Sequence, residues 1–264
     1  MTNITGEYLN YSKKHLNDYG IKTIVLLQVG AFYEMYGIKD NDDNIIGSNV
    51  EEICKICDLQ LSERSNMFYD NMPVLIAGFR DYSLDKYLQI ITNNNYTCFV
   101  YDQFEDLDNK KKFYRKLTNI YSKGTFFESN SENLNNIIMG IWIHKVSNKI
   151  IFGVSHINIL TGQSYIFEYE EKYILSSTLI DNLERYLSIY RPNEIIIVTN
   201  LSSEEYNKFK NIINFETDNV RIIFTKNNEK FSIEARNCEK QTYIKDIMNN
   251  IFKPNDYNSF IEYY

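Results

Sequence analysis

"IIMGIWIHKVSNKIIFGVSHINILTGQSYIFEYE", residues 137–170, contains three runs rich in β-branched and aromatic residues. Ile137–Val146 meets the turn "SNK", Ile150–Ile159 follows, and "LTG" leads into Gln163–Glu170. Such runs joined by two or three turn residues predict an antiparallel meander. Downstream the apolar spacing changes. "ILSSTLIDNLERYLSIY" (174–190) reads as a helix and "NEIIIVT" (193–199) as a strand. A helix "SSEEYNKFKNII" (202–213), a strand "VRIIFT" (220–225) and a helix "QTYIKDIMNNIF" (241–252) complete the series.

The order βββαβαβα is that of a ribonuclease-H-like α/β layer, with later strands parallel and helices covering the sheet. Nucleases of that architecture hold two metal ions on clustered carboxylates. Here the middle of the meander offers Trp142, His144 and Asn158 instead. Acidic residues fall at strand ends (Glu168, Glu170) or on the next helix (Asp181, Glu184). A nuclease reading therefore lacks its acid cluster, and metal-dependent cleavage is the observation that would distinguish it. His144 and His156 can lie on neighbouring strands, and we read them as satisfied, half-buried side chains.

Upstream, "FFESNSENLNN" (126–136) is polar and Ser/Asn-rich, the composition of a linker. Residues 1–125 mix helix and strand signals. "EYLNYSKKHLNDYG" (7–20) predicts an amphipathic helix ended by Gly20. "IVLLQV" (24–29) predicts a buried strand, "PVLIAGF" (73–79) is a second apolar run, and "DYSLDKYLQIITNN" (81–94) has helical spacing. In "SNVEEICKICD" (48–58), Ser48 with Glu51 three residues on has the capping-box pattern. "YTCFVYDQ" (96–103) and "KFYRKLTNIYS" (112–122) are β-like. The sum is an α+β domain with a mixed sheet.

The chain has 264 residues, enough for one large domain or two ordinary ones, and with 44% of them hydrophobic and 15% aromatic it can build real cores. Lys and Arg total 28 against 35 Asp and Glu, a net charge of −7. No basic field announces nucleic acid, so any DNA contact must come from local geometry. No apolar run is long enough to span a bilayer, and the opening "MTNITGEYLNYSKKHL" does not read as a signal peptide. Cys54 and Cys57 have the spacing of half a zinc site, but a structural site takes four ligands. They read as two thiols one helical turn apart in a reducing compartment. "SKGT" (122–125) lacks the rest of a P-loop, so this stretch is not expected to bind ATP that way.

After "IVLLQV" comes "GAFYEMYG", Gly30 to Gly37. If the chain stays extended there, Phe32, Glu34 and Tyr36 share one face and Tyr33 and Met35 the other. A phenylalanine beside a carboxylate suits a surface that inserts an apolar wedge and makes one polar contact. The alternative is that Phe32 is core and Glu34 a solvated turn residue.

Several stretches resemble motifs of the MutS family of DNA mismatch-recognition ATPases. "GAFYEMYG" resembles the family's G-D-F-Y-E-[ML]-[FY], with Ala31 in place of Asp. "CDLQLSER" (57–64), "YDQFED" (101–106) and "RKLTNIYSKGT" (115–125) resemble later motifs of its first domain. "PVLIAGFRDYSLDKYL" (73–88) resembles another, with Arg80 where the pattern has Pro. "GVSHINILTG" (153–162), with Asn158 in place of Asp, and "LSIYRPNEI" (187–195) resemble motifs of its connector domain. Seven motifs occur in order over nearly the whole chain.

The resemblance implies a mixed-sheet α+β mismatch-recognition domain over 1–125, a linker over 126–136 and a ribonuclease-H-like α/β connector over 137–264. In the family the Phe of F-x-E enters DNA from the minor groove and stacks on the mispaired base, and the Glu hydrogen-bonds that base. The match places these roles on Phe32 and Glu34; the alternative is a MutS-derived interaction module that has lost mismatch binding, against which the intact F-x-E argues. Arg80, Lys110, Lys111, Lys112 and Arg115 are further candidates for contact with the DNA backbone, although a lysine run also suits a solvated turn. The implied partner is double-stranded DNA with mispairs or small loops, met without a membrane. The family's core, clamp and ATPase domains have no counterpart in this stretch. ATP, Mg2+ and dimerisation are expected of the full-length protein, and no catalysis, cofactor or metal of this part. An intracellular setting is implied, whether nuclear, viral-factory or mitochondrial. The richness in Asn, Ile, Lys and Tyr fits an A/T-rich genome, as in the MutS lineage of giant viruses and coral mitochondria.

Overall fold

A computed structural model describes residues 4–106, 113–127, 135–174, 177–213 and 219–251. The chain divides into two compact units. One comprises Met1–Ile137 with Asn158–Gly162, and the other Ile138–Ile157 with Gln163–Tyr264.

The first unit begins with helix α1 (Ile4–Tyr19), closed by Gly20 at φ 92°. Strands β1 (Thr23–Val29) and β2 (Phe32–Lys39) form a hairpin, and the short β3 (Ile45–Ile46) pairs with β2. Helix α2 (Val50–Cys57), strands β4 (Ser62–Tyr69) and β5 (Met72–Arg80), and helix α3 (Leu84–Asn93) follow. Strands β6 (Thr97–Glu105) and β7 (Phe113–Tyr121) complete the sheet, whose order is β4-β5-β2-β1-β6-β7. Among the described residues only β1 and β6 of its paired strands run parallel.

The continuous apolar run of β1 follows from its central place. Ile24 to Leu27 are all buried because helices cover both faces. On one face α1 packs down: Tyr8 meets Tyr36 edge-on, His15 stacks on Phe99, and Tyr11 stacks on Tyr101. On the other, Tyr87 of α3 stacks on Phe79. Cys54, Cys57 and Cys98 are buried free thiols, pushed up in pKa by burial.

Local signals were displaced in places. The residue capping α2 is Asn49, without a side-chain cap bond, and not Ser48. The Ser48 hydroxyl instead donates to the Tyr36 carbonyl at 2.5 Å, tying the helix start to β2. Strand β4 gave no recognisable signal, because "SERSNMFY" is polar at alternate and consecutive positions alike.

The second unit carries the meander as β8 (Ile137–Val146), β9 (Lys149–Asn158) and β10 (Ser164–Lys172). Helix α4 spans only Asp181–Tyr190 of the longer stretch read as helical, with a 3-10 turn at Ser177–Leu179. Strand β11 (Glu194–Thr199), helix α5 (Ser203–Lys210) and strand β12 (Val220–Phe224) come next. A helix absent from the sequence reading, α6 (Lys230–Asn237), precedes α7 (Gln241–Ile251). The sheet order is β10-β9-β8-β11-β12, with β8, β11 and β12 mutually parallel, as the ribonuclease-H-like order requires. Met139, Ile141, Phe152, Ile195 and Ile197 face a core completed by Leu183, Leu187, Tyr206 and Phe209 of α4 and α5.

Candidate nucleic-acid interface

The turn between β1 and β2 is two residues long, since Val29 lies opposite Phe32. Its first residue, Gly30, takes φ 60°, and Ala31 is not among the residues of positive φ. Glycine in the first central position is what a type II′ hairpin turn requires. The turn is held from both sides. Gly30 N–H donates to Gln103 Oε1 at 3.1 Å, and Asp81 N–H donates to the Ala31 carbonyl at 3.0 Å.

Phe32 therefore starts β2 at the end of the sheet, and its ring is 40% exposed. Tyr33 and Met35 point the other way and are buried. Glu34, half-buried, shares the face of Phe32. The alternation read from "GAFYEMYG" is present. Tyr36 shares that face as expected, but it is 1% exposed because Tyr8 of α1 crosses the face there. Phe32 is thus not a core residue.

The Tyr36 hydroxyl donates a hydrogen bond to Glu34 Oε2. Burial first, and then the adjacent carboxylate, raise the Tyr36 pKa far above the usual phenol value. The tyrosine stays protonated and fixes the carboxylate with a neutral donor. Across the β2–β5 ladder Glu34 faces Gly78. A Cβ on Gly78 would lie 2.7 Å from the Tyr33 carbonyl oxygen and 3.4 Å from Glu34 Cα. The side chain of Glu34 lies over a position where only glycine lets the backbones approach.

Arg80 ends β5 directly opposite Phe32, and its guanidinium carbon lies 5.2 Å from the centre of the Phe32 ring. Its backbone takes φ −70° and ψ 146°. A proline ring would impose the same φ, so Arg in place of Pro needs no differently shaped loop. Phe32, Glu34 and Arg80 are brought together at one sheet end.

The other candidates differ. Lys110, Lys111 and Lys112 lie outside the described residues. Arg115 does not present a free cation. Its Nε donates to the Gln28 carbonyl at 2.7 Å, its guanidinium meets Glu7 and Gln103 at 3.4 Å, and its side chain is 11% exposed. A side chain so enclosed serves as an internal strut between α1, β1 and β7. The sequence reading missed this because Arg115 follows a lysine run and looks like part of it.

In the second unit His156 is buried, its Nδ1 2.8 Å from the Tyr186 hydroxyl, with the Tyr190 ring centre 4.1 Å away. Burial lowers its pKa, which favours the neutral ring. Asn158 Oδ1 accepts from Leu160 N–H at 3.0 Å, a turn-closing bond that an Asp oxygen would make equally. Among the described residues no group of three His, Cys, Asp or Glu is placed to share a cation. No described helix is long and apolar enough to cross a membrane.

Residues 11–130 match the family model for MutS domain I. The chain is 24% identical over 265 residues to a mutS homolog of Acanthamoeba polyphaga mimivirus named for DNA mismatch repair, covering 94% of this chain and 23% of that protein. It is 27% identical over 199 residues to DNA mismatch repair protein MutS of Parabacteroides distasonis, covering 74% of this chain and 19% of the other. It is 24% identical over 217 residues to a mitochondrial mutS homolog of Sarcophyton glaucum, covering 75% and 20%. The first unit is thus an α+β module similar to MutS domain I. The chain as a whole is similar to the N-terminal region of MutS-family proteins, and it spans roughly a fifth to a quarter of the length of these relatives.

Proposed function

We propose that this chain is the mismatch-recognition and connector part of a DNA mismatch repair protein acting on duplexes with mispairs or small loops. Phe32 serves as the wedge that enters at the mispair, and Glu34 contacts the mispaired base. One observation carries the reading: an exposed phenylalanine stands at the pinned end of a hairpin, with a carboxylate next along the same face. A mispair stacks and pairs poorly, so opening it costs less than opening a normal step, by about a few kcal/mol. An aromatic ring stacks on any base, so the wedge itself needs no sequence preference. The carboxylate repels the polyanionic backbone of intact duplex and finds a donor only where a base is displaced.

Hydrolysis of ATP with Mg2+, dimerisation and embrace of the duplex belong, in this reading, to further domains of a longer protein. In this reading the stretch "SKGT" is no phosphate-binding loop, and the nucleotide is held by those further domains.

Phe32→Ala in the full-length gene product tests the reading, with mispaired and fully paired duplexes titrated in parallel. Mispair affinity should fall by about 1–3 kcal/mol, the worth of one stacked base. Homoduplex affinity and the unfolding midpoint should stay unchanged. A variant that still prefers the mispair by the original ratio overturns the reading.

A further inference from the structure

We infer that Arg80 is a positioning residue for the wedge, its guanidinium backing one face of the Phe32 ring so that the opposite face is presented to a base. The inference rests on the reading of Phe32 given above. Phe32 and Arg80 are register partners on adjacent antiparallel strands, so their side chains leave the same face of the sheet. The guanidinium carbon lies 5.2 Å from the ring centre, within cation–π distance. Arg80 is exposed, and among the described residues it has no ion pair. The neighbouring carboxylate of Asp81 accepts from Tyr82 N–H instead. With no acceptor holding it elsewhere, the planar cation lies on the ring.

An exposed phenylalanine at a strand end has rotamers to lose when it enters DNA. A flat group against one face removes part of that freedom before binding, which is how preorganisation raises affinity. Arginine suits the task because its guanidinium is planar and weakly hydrated, whereas the compact ammonium of lysine stays hydrated. The cation also stands beside the Glu34 carboxylate's end of the sheet, in a chain of net charge −7, so it offsets repulsion where the duplex approaches. The positions reinforce each other: β5 ends at Arg80, and the next residue donates to the turn that precedes Phe32.

The test is Arg80→Lys, alone and combined with Phe32→Ala, in the full-length gene product. Binding to a mispaired and a fully paired duplex is measured at two salt concentrations. Lysine keeps the charge, so homoduplex affinity and its salt dependence should be unchanged. The mispair preference should fall by about two- to fivefold, the size of an exposed cation–π contact. In the Phe32→Ala background the same substitution should change nothing further, because its effect passes through the ring. If Arg80→Lys retains the full mispair preference, or lowers it equally with and without Phe32, the inference is overturned. If Phe32→Ala alone leaves the preference intact, the wedge reading itself fails and the inference falls with it. That result is distinct from a failure of Arg80→Lys on a working wedge.

Discussion

The Tyr36 hydroxyl donates to the Glu34 carboxylate two residues back along the same strand face. Tyr36 is buried under α1 while Glu34 is half-buried beyond it, so the bond reaches from the core to the edge of the exposed site. Tyr36→Phe should remove the donor with little change of volume. The fold should lose about 1 kcal/mol, measured by denaturant unfolding, since water can reach the carboxylate in its place. Mispair preference should fall as well, because the freed carboxylate samples several rotamers. Unchanged preference with lowered stability would mean that the bond serves the fold alone.

Glu34→Gln removes the charge and keeps a hydrogen-bonding group of the same size. Homoduplex affinity should rise as repulsion from the phosphates falls. Mispair affinity should be largely kept, because the amide still donates and accepts. Discrimination should narrow by about 1 kcal/mol, mostly from the homoduplex side. Parallel titrations at two salt concentrations decide it. Weaker mispair binding with unaltered homoduplex binding would make Glu34 a plain contact and end the repulsion argument.

Gly78→Ala places a methyl group 2.7 Å from the Tyr33 carbonyl oxygen, which is backbone and cannot swing aside. The β2–β5 ladder must open locally. We expect a destabilisation of about 1–3 kcal/mol, read as a lower unfolding midpoint. Mispair binding should weaken with it, because Phe32, Glu34 and Arg80 all depend on that pairing. An unchanged midpoint would contradict the close approach.

The second unit should be sensitive to acid. Glu205 is bonded to Lys145 Nζ at 2.6 Å and forms a capping box with Ser202 at the start of α5. The lysine bond first, and the Ser202 backbone N–H next, hold its pKa down to about 2, against 4.5 for a free side chain. A folded-state pKa below the unfolded one gives stability that is present above pH 4.5 and lost as pH falls from 4.5 towards 2. Glu205→Gln should flatten this part of the pH–stability curve and cost about 1 kcal/mol at neutral pH. Identical acid limbs for both proteins would show that other carboxylates set the slope.

Legibility in the sequence followed the range of the interactions. The meander, the parallel strands after it and α1 were readable, because each is signalled by the period of its own residues. The face shared by Phe32 and Glu34 was readable for the same reason. What escaped depends on distant partners. "SERSNMFY" becomes β4 only because β5 offers it an edge. Ser48 looked like the cap, but the helix starts one residue later, and the serine hydroxyl accepts from Val50 N–H while donating to the Tyr36 carbonyl. Arg115 looked like a surface cation and is enclosed by Glu7, Gln28 and Gln103, residues far off in sequence. The meeting of Arg80 with Phe32 required the β2–β5 register, which no local pattern encodes.

The parallel pairing of β1 with β6 sets Thr23 opposite Thr97 in the middle of the first sheet. During synthesis β1 and β2 can form their hairpin early, yet the other edge of β1 waits for β6 to emerge. Until then Ile24 to Leu27, fully buried in the finished unit, line an open edge beside an apolar surface. Non-local pairing of this kind is slow to form and exposes strand edges meanwhile. The β1–β2 hairpin is therefore among the earliest parts of this unit to be made and among the last to be secured. A nascent chain stalled between β2 and β6 would carry Phe32 and Glu34 beside an edge that invites pairing with other chains.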